Sequence, residues 1–169
     1  MRQMRLAKRE VKDIEALRAI VEACDVMHIG AADEEGMFIV PVNFGYEWED
    51  CPGASDARPR LTLYIHSAAK GRKAEAFSRG CDVAFEMDCD GGTIEGDYSC
   101  AYSRAYRSIM GTGRIRPVED AAEKLRALSL IMEHAAPGTP CEFAETAVDR
   151  VVVFRVDVRE FTGKERHPK

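Results

Sequence analysis

The chain has 169 residues, of which 46% are hydrophobic and 31% are charged, and its formal net charge is −5. This composition is typical of a globular protein and predicts a single domain over residues 1–169. The acidic balance argues against a nucleic-acid partner, since general nucleic-acid binders need a basic surface. No apolar run could span a bilayer and the charged N-terminus does not resemble a signal peptide, so we expect no membrane partner and a cytoplasmic location.

The first third of the chain predicts a helix followed by a hairpin. Apolar residues recur at helical spacing over Asp13–Ala23, and Asp13 is a suitable N-cap. Two extended runs, Val26–Ala32 and Met37–Trp48, flank an acidic turn. Pro41 interrupts the second run and indicates an edge, a bulge or a bend, because proline cannot donate a ladder hydrogen bond. The following segment, Cys51–Arg60, predicts a long surface loop.

A buried strand that ends in basic groups follows this loop. Leu61, Leu63 and Ile65 alternate with polar residues, which is the period of a strand with one face on a core. A short helix is predicted over Gly71–Ser78, and hydroxyl and cationic groups gather just before it and in its first turn: Ser67, Lys70, Arg72 and Lys73. This arrangement favours an anion such as a phosphate. The alternative is a first turn whose charges are simply solvated.

The second half of the chain predicts further strands around one long helix. Val83–Met87 alternates as a strand and runs into a turn at residues 88–92. Tyr102–Val118 is typical of a long bent strand, and Val151–Phe161 of a final strand followed by a frayed tail from Lys164. The helix that opens at Glu119-Asp120 places five apolar residues on one predicted face: Ala121, Leu125, Leu128, Met132 and Ala135.

These elements indicate a mostly β protein with a few helices. Hairpins dominate, strands do not alternate regularly with helices, and neither GxGxxG nor a P-loop motif occurs, which argues against a Rossmann or P-loop fold. A small closed or split antiparallel barrel would bury these strands without long exposed edges.

Six cysteines raise the alternative of a cysteine-based redox or metal protein. The chain has no CxxC pair, and in a reducing compartment most of these thiols are expected to be buried as small hydrophobes. Cys89 and Cys100 flank one loop, so these two could approach each other. No metal ligands are predicted.

Several segments together resemble the 5-nitroimidazole resistance proteins, within the pyridoxamine 5′-phosphate oxidase-like flavin-binding split barrels. The segments are IVPVNFGYEWED, LTLYIHSAAKGRK, FEMDC, IEGDYSCAY, SRAYRSIMGTGRI and the terminal FTGK. They are spread along nearly the whole chain. The resemblance implies a six-stranded antiparallel split barrel of the FMN-binding type that forms a homodimer with FMN at the interface.

The resemblance also implies which residues bind the cofactor. The phosphate would lie near Ser67 and the cations Lys70, Arg72 and Lys73, and the flavin ring along Val40, Pro41, Val42 and Asn43. Ile65, His66 and Gly71 complete the set on this side, and Tyr106 and Ser108 would come from the partner chain.

His66 is the candidate catalytic residue, because an imidazole could donate a proton while a flavin delivers a hydride. The alternative is that His66 only hydrogen-bonds a loop or the ligand. The first functional hypothesis is an FMN-dependent reductase of small electrophiles such as nitroimidazoles, supplied by a nicotinamide cofactor or another donor. The second is a flavin- or haem-binding protein without turnover, a carrier or sensor. The residues do not choose among FMN, F420 and haem.

Overall fold

Eight strands and four α-helices make up the part of the chain that the computed structural model describes, residues 4–51 and 58–167. The strands are β1 (Glu10–Val11), β2 (Met27–Asp33), β3 (Gly36–Val42), β4 (Gly45–Glu49), β5 (Arg60–Ala68), β6 (Cys81–Ile94), β7 (Ser103–Pro117) and β8 (Val151–Arg166). The helices are α1 (Ile14–Ala23), α2 (Arg72–Ser78), α3 (Ala121–Ala135) and α4 (Glu145–Val148). Most of the predicted loop Cys51–Arg60 lies outside the described residues.

All strand pairs are antiparallel, in the order β3-β2-β6-β7-β8-β5-β4, and the short β1 pairs with β8. This confirms the predicted mostly β class and its split-barrel fold. The strand count is eight rather than six, because β1 adds two residues beside β8 and the predicted run Met37–Trp48 is divided at Asn43 and Phe44 into β3 and β4. Pro41 lies on β3, which ends the path of paired strands and so confirms an edge position.

The helices predicted from local signals form where expected. The Asp13 carboxylate accepts a hydrogen bond of 2.8 Å from the backbone N–H of Ala16, which caps α1. The short helix α2 is followed by Gly80 at φ +68°, the left-handed conformation that ends many helices. It contacts β2, β5, β7 and β8.

Three expectations about the strands and helices were wrong. The strand from Val83 does not end at residues 88–92, because β6 continues to Ile94 in register with β7 and absorbs the glycines in a bulge between Asp90 and Thr93. The tail from Lys164 is not frayed, because β8 pairs with β7 as far as Arg166.

The third error concerns which face of α3 is buried. Leu125, on the predicted apolar face, is 45% exposed, whereas Ala127, Leu128 and Ile131 are buried. The small Ala127 allows α3 to approach the sheet closely, and tertiary packing of this kind is not visible in the helical period.

Two apolar clusters hold the structure together. The larger cluster lies between the sheet, α1 and α2, and it includes Leu61, Leu63 and Ile65 from β5. The smaller cluster lies under α3 and includes Tyr64, on the opposite face of the same strand. Strand β5 is therefore buried on both faces. None of the helices within residues 4–51 and 58–167 combines the length and the apolar character that crossing a membrane requires.

Gly45, the first residue of β4, sets the distance between α3 and the sheet. A Cβ atom at this position would lie 2.5 Å from the backbone nitrogen of Ile131 and 2.5 Å from the carbonyl carbon of Leu130. These are backbone atoms of a helix, which cannot turn aside as a flexible side chain can.

We therefore expect Gly45→Ala to displace α3 and to lower the free energy of unfolding by about 2 kcal/mol or more. Urea denaturation followed by circular dichroism measures this change. Gly30→Ala is the matched control, because the nearest atoms to its Cβ would be the carbonyl oxygens of Phe38 at 3.5 Å and Ala84 at 3.8 Å. The control should change stability by no more than about 0.5 kcal/mol, and equal losses in both variants would contradict the role given to Gly45.

Candidate functional site

Two polar residues, His66 and Ser67, lie near the end of β5. From Leu61 to Ile65 every residue is buried, but His66 is exposed and Ser67 is only 9% exposed. His66 pairs with Val153 of β8, and Ser67 pairs with Val152. Because β5 is fixed on both faces just before this point, the two side chains emerge at a defined position beside α2.

The segment between β5 and α2 carries the predicted cations. Lys70 is exposed and Lys73 is half-buried in the first turn of α2. Gly71 has φ +109°, and a Cβ atom added to it would meet no other atom within 4 Å, so the backbone conformation rather than crowding favours glycine here. Helix α2 has only seven residues, so the positive potential of this segment comes mainly from the lysine side chains.

Arg72 has a structural partner that the sequence did not predict. Its Nε and Nη2 atoms donate hydrogen bonds of 2.7 Å each to the two carboxylate oxygens of Asp33, and Nη2 also donates to the carbonyl oxygen of Gly36 at 3.1 Å. The guanidinium carbon lies 4.8 Å from the centre of the Phe38 ring. The hydrogen bond from Arg72 lowers the pKa of Asp33 below its ordinary value.

This contact clamps α2 to the β2–β3 hairpin and neutralises the charge of Arg72. By contrast, neither Lys70 nor Lys73 forms an ion pair with any other residue the structure describes. The two lysines are therefore the cations of the segment that remain available for an anion, and phosphate binding by Arg72 stays a prediction.

The ring of His66 lies in a positive environment. Partial burial, and then the charge of Lys73, lower the pKa of His66 below its ordinary value of 6.5. His66 is therefore mostly neutral at pH 7. An anion placed beside Lys73 would offset that charge and favour the protonated ring.

Val40, Pro41 and Val42 end β3, and Asn43 follows that strand. Val42 is buried, Val40 is half-buried, and Pro41 and Asn43 are exposed at the end of the edge strand. Strands β3 and β5 are not paired with each other. They are linked by α2, whose Phe77 ring packs 5.9 Å from that of Phe38 on β3.

Tyr106 and Ser108 lie at the other end of the sheet. Tyr106 pairs with Arg166 of β8, whereas His66 pairs with Val153, thirteen positions earlier on the same strand. At about 3.3 Å per residue, the two sites are separated by up to roughly 40 Å along β8. One chain therefore does not bring Tyr106 and His66 together.

The surroundings of Tyr106 are basic. Burial acts to raise its pKa, but hydrogen bonds with Arg9 and Lys164 and their positive charges outweigh this effect and lower the pKa below the ordinary value. Its neighbour Ser108 is only 9% exposed.

Two contacts were not predicted correctly from the sequence. The partner of Arg72 is Asp33. The sequence signal for this contact was that the turn after β2 is acidic, whereas the segment that leads into α2 is basic. The cysteine that approaches Cys89 is Cys24, at 3.3 Å between the sulfur atoms, and not Cys100, which is exposed.

Comparison with solved structures supports the fold. A candidate 5-nitroimidazole antibiotic resistance protein from Bacteroides thetaiotaomicron is 30% identical, with a TM-score of 0.74 over 92% of this chain and 86% of that chain. The flavocytochrome Anf3 from Azotobacter vinelandii is 19% identical, with a TM-score of 0.74 over 98% of this chain and 73% of that chain. A FAD and haem binding protein from Mycobacterium smegmatis is 14% identical, with a TM-score of 0.75 over 95% of this chain and 76% of that chain.

A search of curated proteins finds no significant match. The family model described as pyridoxamine 5′-phosphate oxidase matches residues 13–165, which include nearly every described strand and helix. This match and the 30% identical structure confirm the resemblance that the sequence motifs indicated. The chain belongs to the pyridoxamine 5′-phosphate oxidase family.

Proposed function

We propose that this chain binds FMN and acts as a flavin-dependent reductase of small electrophiles such as nitroimidazoles. The observation that carries the proposal is the pair of lysines, Lys70 and Lys73, that have no ion-pair partner among the described residues and lie directly after the buried strand β5. A phosphate dianion needs cations and hydrogen-bond donors, and this segment offers both. The 30% identical protein from Bacteroides thetaiotaomicron supports the choice of nitroimidazoles.

Five of the predicted residues have a role in this proposal. Lys70 and Lys73 bind the phosphate, and the Ser67 hydroxyl donates to it. Val40 and Pro41 offer apolar contact to a flat ring. When bound, FMN would supply hydride transfer to the electrophile.

We expect Lys70→Gln/Lys73→Gln to lower the affinity for FMN at least about 100-fold, because hydrogen bonds to charged groups contribute about 1.5–3 kcal/mol each and two are removed. Quenching of flavin fluorescence on titration measures this affinity. Riboflavin is the matched ligand, because it lacks the phosphate, and its affinity should not change in the variant.

Lys12→Gln is the matched protein control, since Lys12 is exposed and lies before α1. Arg72→Gln tests the third cation of the segment by itself. We expect it mainly to lower stability, because it removes the contact with Asp33. An unchanged FMN affinity in the double lysine variant would refute the phosphate site.

The functional unit that we propose is a homodimer with the flavin at the interface. Met37, Ile39 and Met110 are exposed by 89%, 66% and 59%, and they surround His28 and Glu86 on the outer face of the sheet. An apolar face of this kind is a feature of protein interfaces. Tyr106 and Ser108 cannot reach the flavin site of their own chain. In a dimer formed through this face, they would approach the flavin site of the partner chain.

Ile39→Glu/Met110→Glu should convert the dimer to a monomer, because each carboxylate would be buried without a partner. Light scattering after size-exclusion chromatography measures the mass, and FMN titration of the same samples should show a weakened affinity. Leu125→Glu on α3 is the matched control, because Leu125 is 45% exposed on a different element. A wild-type monomer that binds FMN with full affinity would contradict the dimer.

His66 is the residue that we propose to donate the proton. Because the pKa of His66 lies below its ordinary value of 6.5, the ring becomes mostly protonated only below that pH, and turnover should rise as the pH falls into that range. We expect His66→Gln to lower nitroimidazole-dependent oxidation of a nicotinamide cofactor by roughly 100-fold and to flatten its pH dependence, with FMN affinity retained.

The same assay distinguishes the reductase hypothesis from that of a carrier or sensor without turnover. A protein that binds FMN tightly but oxidises no nicotinamide cofactor with any nitroaromatic acceptor would favour binding without turnover. Full turnover in His66→Gln would remove His66 from the reaction while leaving the reductase intact.

A further inference from the structure

Two cysteines that are far apart in the sequence have their sulfur atoms in contact. The Sγ atoms of Cys24 and Cys89 are 3.3 Å apart, across a sequence separation of 65 residues. Cys24 ends α1, and its backbone N–H bonds to the carbonyl oxygen of Val21. Cys89 lies on β6, and its thiol also donates to the carbonyl oxygen of Ala23 at 3.2 Å.

A disulfide between these residues needs only a small movement. A covalent S–S bond is about 2.05 Å long, so the sulfur atoms have to approach by roughly 1.3 Å. Both residues lie at or beside elements that are already packed together, because α1 contacts β6. No large rearrangement of the fold is required.

The two thiols differ in access to solvent. Cys24 is 1% exposed, whereas Cys89 is half-buried. Burial, and the neighbouring Cys89 thiol, raise the pKa of Cys24 well above its ordinary value. Cys24 is therefore protonated and shielded, and an oxidant in solution reaches Cys89 first.

We propose that Cys24 and Cys89 form a reversible intramolecular disulfide when the protein meets a hydroperoxide. In the first step the Cys89 sulfur attacks the peroxide, the O–O bond breaks, and Cys89 becomes a sulfenic acid while an alcohol or water leaves. In the second step the Cys24 sulfur attacks the sulfenic sulfur, the S–O bond breaks, and water carries away the hydroxyl group and the thiol proton. Two thiols are oxidised by two electrons and one peroxide is reduced, and a dithiol reverses the change.

The bond would close a loop of 65 residues in the unfolded chain and join the end of α1 to β6. Cross-links of this span restrict the unfolded state, so the oxidised protein should melt at a temperature higher by roughly 10 °C. Cys89 is paired with Arg107, between Tyr106 and Ser108, so the cysteines lie on the side of the sheet away from His66 and the two lysines. Formation of the disulfide does not require a bound flavin.

The test uses the full chain with serine at the four other cysteines, Cys51, Cys81, Cys100 and Cys141, three of which are exposed. Treatment with hydrogen peroxide should remove two free thiols, leave a monomeric band on a non-reducing gel, and yield a peptide that joins Cys24 to Cys89. Dithiothreitol should restore both thiols and the original melting temperature.

Two further variants on this background identify the order of the steps. In Cys24→Ser, peroxide should leave a sulfenic acid on Cys89 that dimedone traps, and no cross-link should form. In Cys89→Ser, Cys24 should stay reduced at the same peroxide concentration. The proposal is overturned if Cys89 in the parent protein is oxidised to the sulfinic acid while Cys24 remains a free thiol, because the pair would then be only two packed side chains.

Discussion

Burial of β5 on both faces is the constraint on which the rest of the structure depends. Leu63 faces the main core, whereas Tyr64 faces α3. The Tyr64 hydroxyl lies 3.0 Å from a carboxylate oxygen of Glu47 and 3.2 Å from one of Glu123, and either carboxylate can accept its single proton. A buried phenol needs such partners, since leaving it unpaired costs about 1–3 kcal/mol. The same contacts that satisfy Tyr64 therefore help to hold α3 on the sheet, two residues before His66.

The cations beside that strand end have two separate tasks. Arg72 binds Asp33 through both carboxylate oxygens, and a planar guanidinium is well suited to such a paired contact. Lysine is a compact charge on a flexible chain, which suits a ligand that arrives and leaves. The arginine thus joins α2 to the β2–β3 hairpin, and Lys70 and Lys73 would provide the electrostatic attraction that the proposed phosphate requires.

Local signals in the sequence were sufficient for the elements that form through local interactions. Asp13 predicted the start of α1, and the alternation from Leu61 predicted β5, although the alternation indicated one buried face and Thr62 and Tyr64 on the other face are buried as well. The length of β6 was underestimated because pairing with β7 overrides the turn signal of its glycines. The buried face of α3, the partner of Arg72 and the neighbour of Cys89 were not predictable, since each depends on residues distant in the sequence. Such contacts leave no periodic pattern.

Pro41 also influences how this protein can associate with other chains. Strand β3 pairs with β2 in an unbroken register from Met27 opposite Val42 to Asp33 opposite Gly36, and β3 ends the path of paired strands. Since proline has no N–H group, the unbroken pairing indicates that the missing donor lies on the open side of β3. A strand from another molecule would find an incomplete row of hydrogen bonds at this edge, which disfavours the addition of a further strand to β3.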